Sequence, residues 1–216
     1  MPTVLFDLDG TLVDSRPGIV AATNATLRAL GEPERPPAEL EGFIGPPLHE
    51  TFGTLLAHRS PDGARIDEIV ADYRERYRAG MVEGSTVYPG ITELLDALAA
   101  AGARLAVATS KARPLAVPLL EGVGLADRFD VIAGPIPPAR DDKAQTIAQA
   151  LAALGEAAGD GAVMVGDRHH DIDGAHAHGL RAIGAAWGFG GEDELRAAAA
   201  DDVAADPAAL RALLGV

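Results

Sequence analysis

Asp7 and Asp9 stand on alternate positions where the apolar run Val4-Leu5-Phe6 ends, and Gly10-Thr11 follow at once. Alternate side chains of an extended chain point the same way. The two carboxylates therefore crowd one small space and repel each other unless a cation or a shared proton lies between them. Cation binding or proton sharing is the chemistry this pair suits, and the Gly-Thr step reads as a tight turn that bares backbone amides. Other polar residues also follow apolar runs: Thr109-Ser110, and Gly166-Asp167 with Asp171 four residues on. Lys143 opens a helical pattern. Lys111 and Lys143 are the only lysines among 18 basic residues, so Lys at a helix start points to a compact ammonium in place of a planar guanidinium fork.

The elements that must position these residues alternate along the chain. Apolar runs predict strands at Thr3–Leu8, Arg104–Thr109, Asp130–Ala133, Ala162–Gly166 and Leu180–Gly184, each followed by Gly, Pro, Asp or Ser. Ile91, Leu94, Leu95 and Leu98 share one helical face, as do Ile147, Ala150, Leu151 and Leu154. Strand and helix in alternation imply right-handed crossovers and an α/β fold, a doubly wound, Rossmann-like parallel sheet. Asp7, Asp9, Thr109, Ser110 and Asp167 then all fall at the carboxyl edge of that sheet, where open α/β folds bind ligands. Residues 15–84 differ. They show helical patterns at Pro17–Leu30 and at Ile66, Ile69, Val70, Tyr73 and Tyr77, broken by Pro36, Pro37, Pro46, Pro47 and Pro61. They read as an all-helical insert in a core formed by residues 1–14 and 85–216, with Tyr88-Pro89-Gly90 marking the return. The Ala-rich end predicts a helix, an edge strand at Asp202–Ala204 and a last helix with Pro207 at its start.

Composition narrows the field. A chain of 216 residues, 48% hydrophobic and 23% charged, buries a sizeable core. The formal charge of −14 speaks against a nucleic-acid polymer or an anionic membrane surface as partner. An anionic small substrate must then be met by a metal ion or a few local cations. There is no cysteine, which excludes disulfides and thiol catalysis and suits a reducing cytoplasm. No run approaches the ~20 residues of a membrane span, and Asp7 interrupts the first apolar run, so a cytoplasmic protein is expected.

DLDGTLVDS, ATSK, RDDK and VMVGDRHHD, in that order, resemble the four motifs of the haloacid dehalogenase superfamily, in its phosphatase branch with a helical cap inserted after the first motif. More locally, FIGPPL at Phe43–Leu48, Arg140 three before Lys143, GDRHHD, and IGAAWGFG at Ile183–Gly190 resemble the phosphoglycolate-phosphatase-like group, some of whose members are described as 5′-nucleotidases. The resemblance implies a small phosphorylated metabolite as substrate and four catalytic residues. Asp7 is the nucleophile that forms an aspartyl-phosphate. Asp9 is the acid and base on either side of the phosphoryl group. Thr109 donates to a phosphoryl oxygen, and Lys143 balances charge. It also implies Mg²⁺, held by Asp7, the Asp9 carbonyl and Asp167, with Asp171 on a metal-bound water. The backbone amides of Leu8 and Ser110 are further donors to phosphate. In the insert, the rigid Gly45-Pro46-Pro47 loop is a natural wall for the leaving group.

Other assignments compete with these. Asp171 also suits a cap for a helix beginning near Ile172. Four of six histidines lie in HHDIDGAHAH, which invites a zinc site; His176 and His178 do not share a helix face, so solvated histidines beside acidic partners are the better reading. Asp9 argues against a dehalogenase. The absence of Lys from residues 15–84 argues against phosphonate cleavage, which in capped relatives uses a cap lysine. A phosphosugar mutase shares the same core, and a non-catalytic phosphate-metabolite module would not need the full set of polar residues.

Overall fold

The computed structural model describes residues 3–139, 142–155 and 161–216. The chain forms two compact units, Met1–Asp14 with Thr86–Val216 and, inserted between them, Ser15–Ser85. In chain order, β1 (Thr3–Phe6) and β2 (Val13–Asp14) precede the helices of the insert, α1 (Arg16–Ala29), α2 (Pro37–Leu40), α3 (Leu48–Leu55) and α4 (Gly63–Gly80). After β3 (Thr86–Val87) come α5 (Ile91–Ala100), β4 (Arg104–Ala108), α6 (Arg113–Gly122) and β5 (Val131–Ala133). The remainder is α7 (Lys143–Leu154), β6 (Val163–Gly166), α8 (His169–His176), β7 (Arg181–Ala185), α9 (Gly191–Ala197), β8 (Asp202–Ala204) and α10 (Pro207–Leu214).

Six parallel strands form the main sheet in the order β5-β4-β1-β6-β7-β8. β1 lies centrally, and its Val4, Leu5 and Phe6 are fully buried. A strand covered on both faces needs apolar side chains on both, which is why it reads as an unbroken run. Right-handed crossovers fix which helix covers which face. The chain first steps one way, from β1 to β4 and β5, through α5 and α6. It then jumps back to β6 and steps the other way through α7, α8 and α9, which must lie on the opposite face. The packing agrees: Leu5, Ala106 and Met164 meet Ile147 and Leu151 of α7, Ile172 and Ala175 of α8, and Leu195 of α9 in one buried cluster. The reversal of direction between β1 and β6 opens a crevice at their carboxyl ends.

The insert has its own core. α4 packs against α1 and α3, burying Ile66, Ile69, Val70, Tyr73 and Tyr77. Phe52 meets Tyr73 edge-on with centroids 5.5 Å apart, and Tyr73 stacks on Tyr77 at 5.9 Å. The Asn24 side chain holds both backbone groups of Arg35, at 2.9 and 2.8 Å, where the chain leaves α1.

Some elements depart from the expectations. β1 stops at Phe6 because the Leu8 carbonyl turns to accept the amides of Leu12 and Val13, at 3.0 and 3.1 Å. β2 and β3 form an antiparallel ribbon, Val13 opposite Val87 and Asp14 opposite Thr86. Two residues a side is too short for any periodicity to register. α8 begins at His169, three residues earlier than expected. Among the described residues, no helix is long and apolar enough to cross a membrane.

Candidate active site

The site grows from the end of β1. The Asp7 amide still donates to the Val165 carbonyl of β6 at 2.9 Å, so the strand pair stays closed up to the first carboxylate. The chain then turns through Gly10, at φ +89°, whose amide donates to the Val13 carbonyl at 2.8 Å. A Cβ at Gly10 would come within 2.2 Å of Asp167 Oδ2. Glycine thus serves twice here: it accepts the left-handed backbone, and it lets the turn lie against the carboxylate that follows β6.

Lys143 reaches this point from the start of α7. Asp142 caps that helix through the Gln145 amide, and the Gln145 side chain returns the bond to the Asp142 amide, each at 2.8 Å. The cap fixes the first turn, and the ammonium of the buried Lys143 makes three contacts. It donates to Asp7 Oδ1 at 2.8 Å and to the Ala108 carbonyl at the end of β4 at 2.9 Å, and it stands 2.8 Å from Asp171 Oδ1. Two hydrogen bonds and one ion-pair contact thus converge on the ammonium from three elements, a compact arrangement that a planar guanidinium would not match. Burial alone would lower the Lys143 ammonium; the charges of Asp171 and Asp7 outweigh it and raise it above its usual value.

Thr109 follows β4, and its amide continues the sheet to the Ala133 carbonyl at 3.1 Å. Its hydroxyl oxygen accepts the Lys111 amide at 3.1 Å, so its own proton is left to donate. The amides of Leu8 and Ser110 have no acceptor among the described residues. Lys111 folds back from the same turn, and its Nζ lies 2.9 Å from Asp9 Oδ2, with only 8% of the side chain exposed. Each carboxylate of the Asp7-Leu8-Asp9 tripeptide therefore has its own lysine.

Asp7, Asp167 and Asp171 are all buried and offer oxygens within 4.8 Å of one another, the only group of metal-ligand spacing among the described residues. Asp167 accepts from Thr11 Oγ1 at 3.1 Å and from the Phe189 amide at 2.8 Å. Burial, then the charges of Asp171 and Asp7, push the Asp167 carboxyl well above its ordinary value against those two bonds. Burial also raises the Asp171 carboxyl, opposed by Lys143. Surplus negative charge adds to burial: four carboxylates, Asp9 included, face two lysines. Two uncompensated charges on hard oxygen ligands fit one divalent cation.

The structure thus gathers Asp7, Thr109, Lys143, Asp167 and Asp171 at the crevice, with Asp9 beside them on Lys111 and its carboxylate outside the three-acid cluster. Gly45, Pro46 and Pro47 belong to the insert, in a loop with Gly45 at φ +108°, where the Pro47 carbonyl accepts the amides of Glu50 and Thr51 in α3. Arg140 lies outside the described residues. The histidines take separate partners: His169 meets Glu194, His176 meets Asp201, and His178 meets the Ala144 carbonyl. Sequence reasoning gave no role to Lys111, Thr11 or Phe189. For Lys111 a signal was present, since a chain that uses lysine only twice places one of the two directly after Thr109-Ser110.

The fold and this edge cluster define an open α/β protein with a buried acidic site at the carboxyl ends of its strands. The model of the haloacid dehalogenase-like hydrolase family matches residues 4–185. A 5′-nucleotidase of Pseudomonas aeruginosa is 42% identical over 214 residues, covering 99% of this chain and 95% of that one. The tyrosine-protein kinase PtkA of Mycobacterium tuberculosis is 41% identical over 191 residues, 88% of this chain but 64% of the kinase. A phosphoglycolate phosphatase of Chromobacterium violaceum is 34% identical across 86% of this chain and 85% of its own. Among solved structures, a predicted phosphatase from Clostridium acetobutylicum superposes with a TM-score of 0.91 at 33% identity, covering 99% of this chain and 97% of that one. The chain belongs to the haloacid dehalogenase-like hydrolase family and is one of its phosphatases.

Proposed function

We propose that the chain is a Mg²⁺-dependent phosphatase that hydrolyses small phosphate monoesters through a phosphorylated Asp7. The observation that carries this reading is the setting of Asp7: a buried carboxylate at the crevice between β1 and β6, 2.8 Å from the Lys143 ammonium and in one cluster with Asp167 and Asp171. A carboxylate oxygen of Asp7 attacks phosphorus in line, and the bond from phosphorus to the ester oxygen breaks. The departing alkoxide takes the Asp9 proton. Water then attacks the phosphorus of the acyl phosphate, its proton passes to the Asp9 carboxylate, and Asp7 is restored as inorganic phosphate leaves. Lys143 balances charge on Asp7 and the phosphoryl group, while the Thr109 hydroxyl and the Leu8 and Ser110 amides donate to its oxygens. Asp7, Asp167 and the Asp9 carbonyl would hold the Mg²⁺, with Asp171 beside them in the same acidic cluster. When bound, the ion supplies positive charge to the transferring group.

Phosphoglycolate-like esters of small metabolites are the first substrate class, and the insert, with Gly45-Pro46-Pro47, reads the leaving group. Nucleoside 5′-monophosphates are the second, favoured by the near full-length similarity to a 5′-nucleotidase. A cytoplasmic place suits a chain without cysteine. Asp7→Asn keeps the shape of the side chain but cannot attack, so phosphate release with Mg²⁺ should fall about a thousandfold or more. Release near the wild-type rate from a folded Asp7→Asn protein overturns the reading. A panel of phosphoglycolate, sugar phosphates and nucleoside monophosphates decides between the two substrate classes.

A further inference from the structure

A closed chain of hydrogen bonds runs around Asp167. The Thr11 hydroxyl donates to Asp167 Oδ1 at 3.1 Å. The Thr11 carbonyl in turn accepts from the indole Nε1 of Trp187 at 3.1 Å, across 176 positions of sequence. Two residues beyond Trp187, the Phe189 amide donates to Asp167 Oδ2 at 2.8 Å. One carboxylate oxygen is thus held by the turn after β1, the other by the loop after β7, and the indole ties the two holders together. The ring is tight. A Cβ on Gly188 would stand 2.2 Å from Asp167 Cβ and 2.5 Å from the Gly10 carbonyl oxygen. The loop itself is anchored to the sheet, with the Ala186 amide on the Ala204 carbonyl at 2.9 Å.

A carboxylate with one fixed donor on each oxygen cannot turn about its Cβ–Cγ bond, so its remaining lone pairs keep one direction. Such outer bonds commonly decide how well a ligating group holds a metal ion. We infer that Trp187 is a positioning residue of the cation site: its indole N–H fixes the turn that carries Thr11, and Thr11 fixes the orientation of Asp167. This inference rests on the cation reading above. It also gives the site a reporter of its own, because Trp187 is the only tryptophan in the chain.

The test is Mg²⁺ binding to the full-length, metal-free protein, followed by calorimetry and by tryptophan emission. In the wild-type protein, emission should titrate with the calorimetric Kd. Trp187→Phe retains a ring without the donor and should weaken Mg²⁺ binding about threefold to tenfold, and Thr11→Val about tenfold. Thr11→Ser, which keeps the hydroxyl, should bind within about twofold of wild type. Because the indole acts through Thr11, the double variant should lose less than the product of the two single losses. A Trp187→Phe protein with the wild-type Kd overturns the inference, whatever happens to its thermal midpoint, and so do losses that multiply independently. Wild-type emission that ignores saturating Mg²⁺ overturns it without any variant. If calorimetry detects no Mg²⁺ binding to the wild-type protein, the cation reading itself falls, and this outcome is distinct from the others.

Discussion

The two lysines of the chain end on the two carboxylates of one tripeptide, and their settings differ in a way that separates the proposed roles. Lys143 is shared among Asp7, Asp171 and the Ala108 carbonyl, which suits the charge balance of the proposed nucleophile. Lys111 meets Asp9 from the turn that also carries Thr109, so it positions the proposed acid and base. Lys111→Met keeps the length of the stem and removes the ammonium. The expected loss in kcat/KM is about tenfold to a hundredfold for an alkyl phosphate, part of the range that general acid catalysis supplies. It should be clearly smaller for p-nitrophenyl phosphate, whose leaving group departs with little help from an acid. Equal losses for both esters would show that Lys111 supports binding or folding and leaves protonation untouched. At this scale, Asp7, Asp167, Thr109 and Lys143 could be singled out in the sequence because each follows an apolar run or opens a helix. Thr11 and Phe189 could not. Their donors reach Asp167 across 156 and 22 positions, and nothing local in a backbone amide or a common Thr announces such a bond.

Among the elements, α8 shows how one side chain fixes the edge of a site. Glu194, on α9, accepts the His169 amide at 2.9 Å, the Arg168 guanidinium at 2.9 Å and the His169 ring nitrogen at 2.7 Å, all on Oε1. A carboxylate on the first amides of a helix satisfies groups the helix itself leaves open and favours its dipole. Together with the bond from the Arg168 amide to Asp171 at 3.1 Å, this starts the helix at His169. The sequence placed that start near Ile172, since the Glu194 contact comes from another helix. Burial works against ionised Glu194, but the His169 amide, the Arg168 guanidinium and the His169 ring outweigh it and hold the carboxyl down at about 2, against 4.5 when free. Its folded value is the lower one, so its stabilisation is present above 4.5 and is lost as the pH falls toward about 2. Glu194→Gln should therefore cost about 1 kcal/mol at neutral pH, a figure reduced for solvent screening. In urea unfolding the gap between the two proteins should narrow steadily from pH 5 to pH 3, and a constant gap would remove the charge from the explanation. Five strands of the main sheet were legible because each carries a compact apolar run, and β8 as an edge strand between two helical patterns; β2 and β3, at two residues each, carried no pattern.

At the scale of the molecule, one rule of handedness converts the order of elements into a place for chemistry. The crossovers that send α5 and α6 to one face and α7 to α9 to the other leave the crevice beside β1, so Asp7 and Asp167 meet there from distant parts of the sequence. The polar groups proposed to meet phosphate all lie in the unit formed by Met1–Asp14 and Thr86–Val216. In that proposal they read features common to every phosphate monoester, and discrimination among esters is left to the unit Ser15–Ser85, which has a core of its own around Phe52, Tyr73 and Tyr77. Within it, Gly45 and Pro47 are exposed and Pro46 half-buried, so their side chains contribute little to that core. Pro46→Gly with Pro47→Gly removes two fixed φ angles and loosens the loop. Asp7, Asp9, Thr109, Lys143 and Asp167 stay as they are. If the loop reads the leaving group, kcat/KM should shift by unequal factors across phosphoglycolate, sugar phosphates and nucleoside monophosphates, about tenfold for the best of them. The same variant should leave p-nitrophenyl phosphate within about twofold of wild type, because its nitrophenol leaving group is a generic one that the loop has no metabolite features to select. A uniform fall across every ester would instead mean that the loop supports the insert or its motion, and specificity would have to be sought elsewhere in Ser15–Ser85.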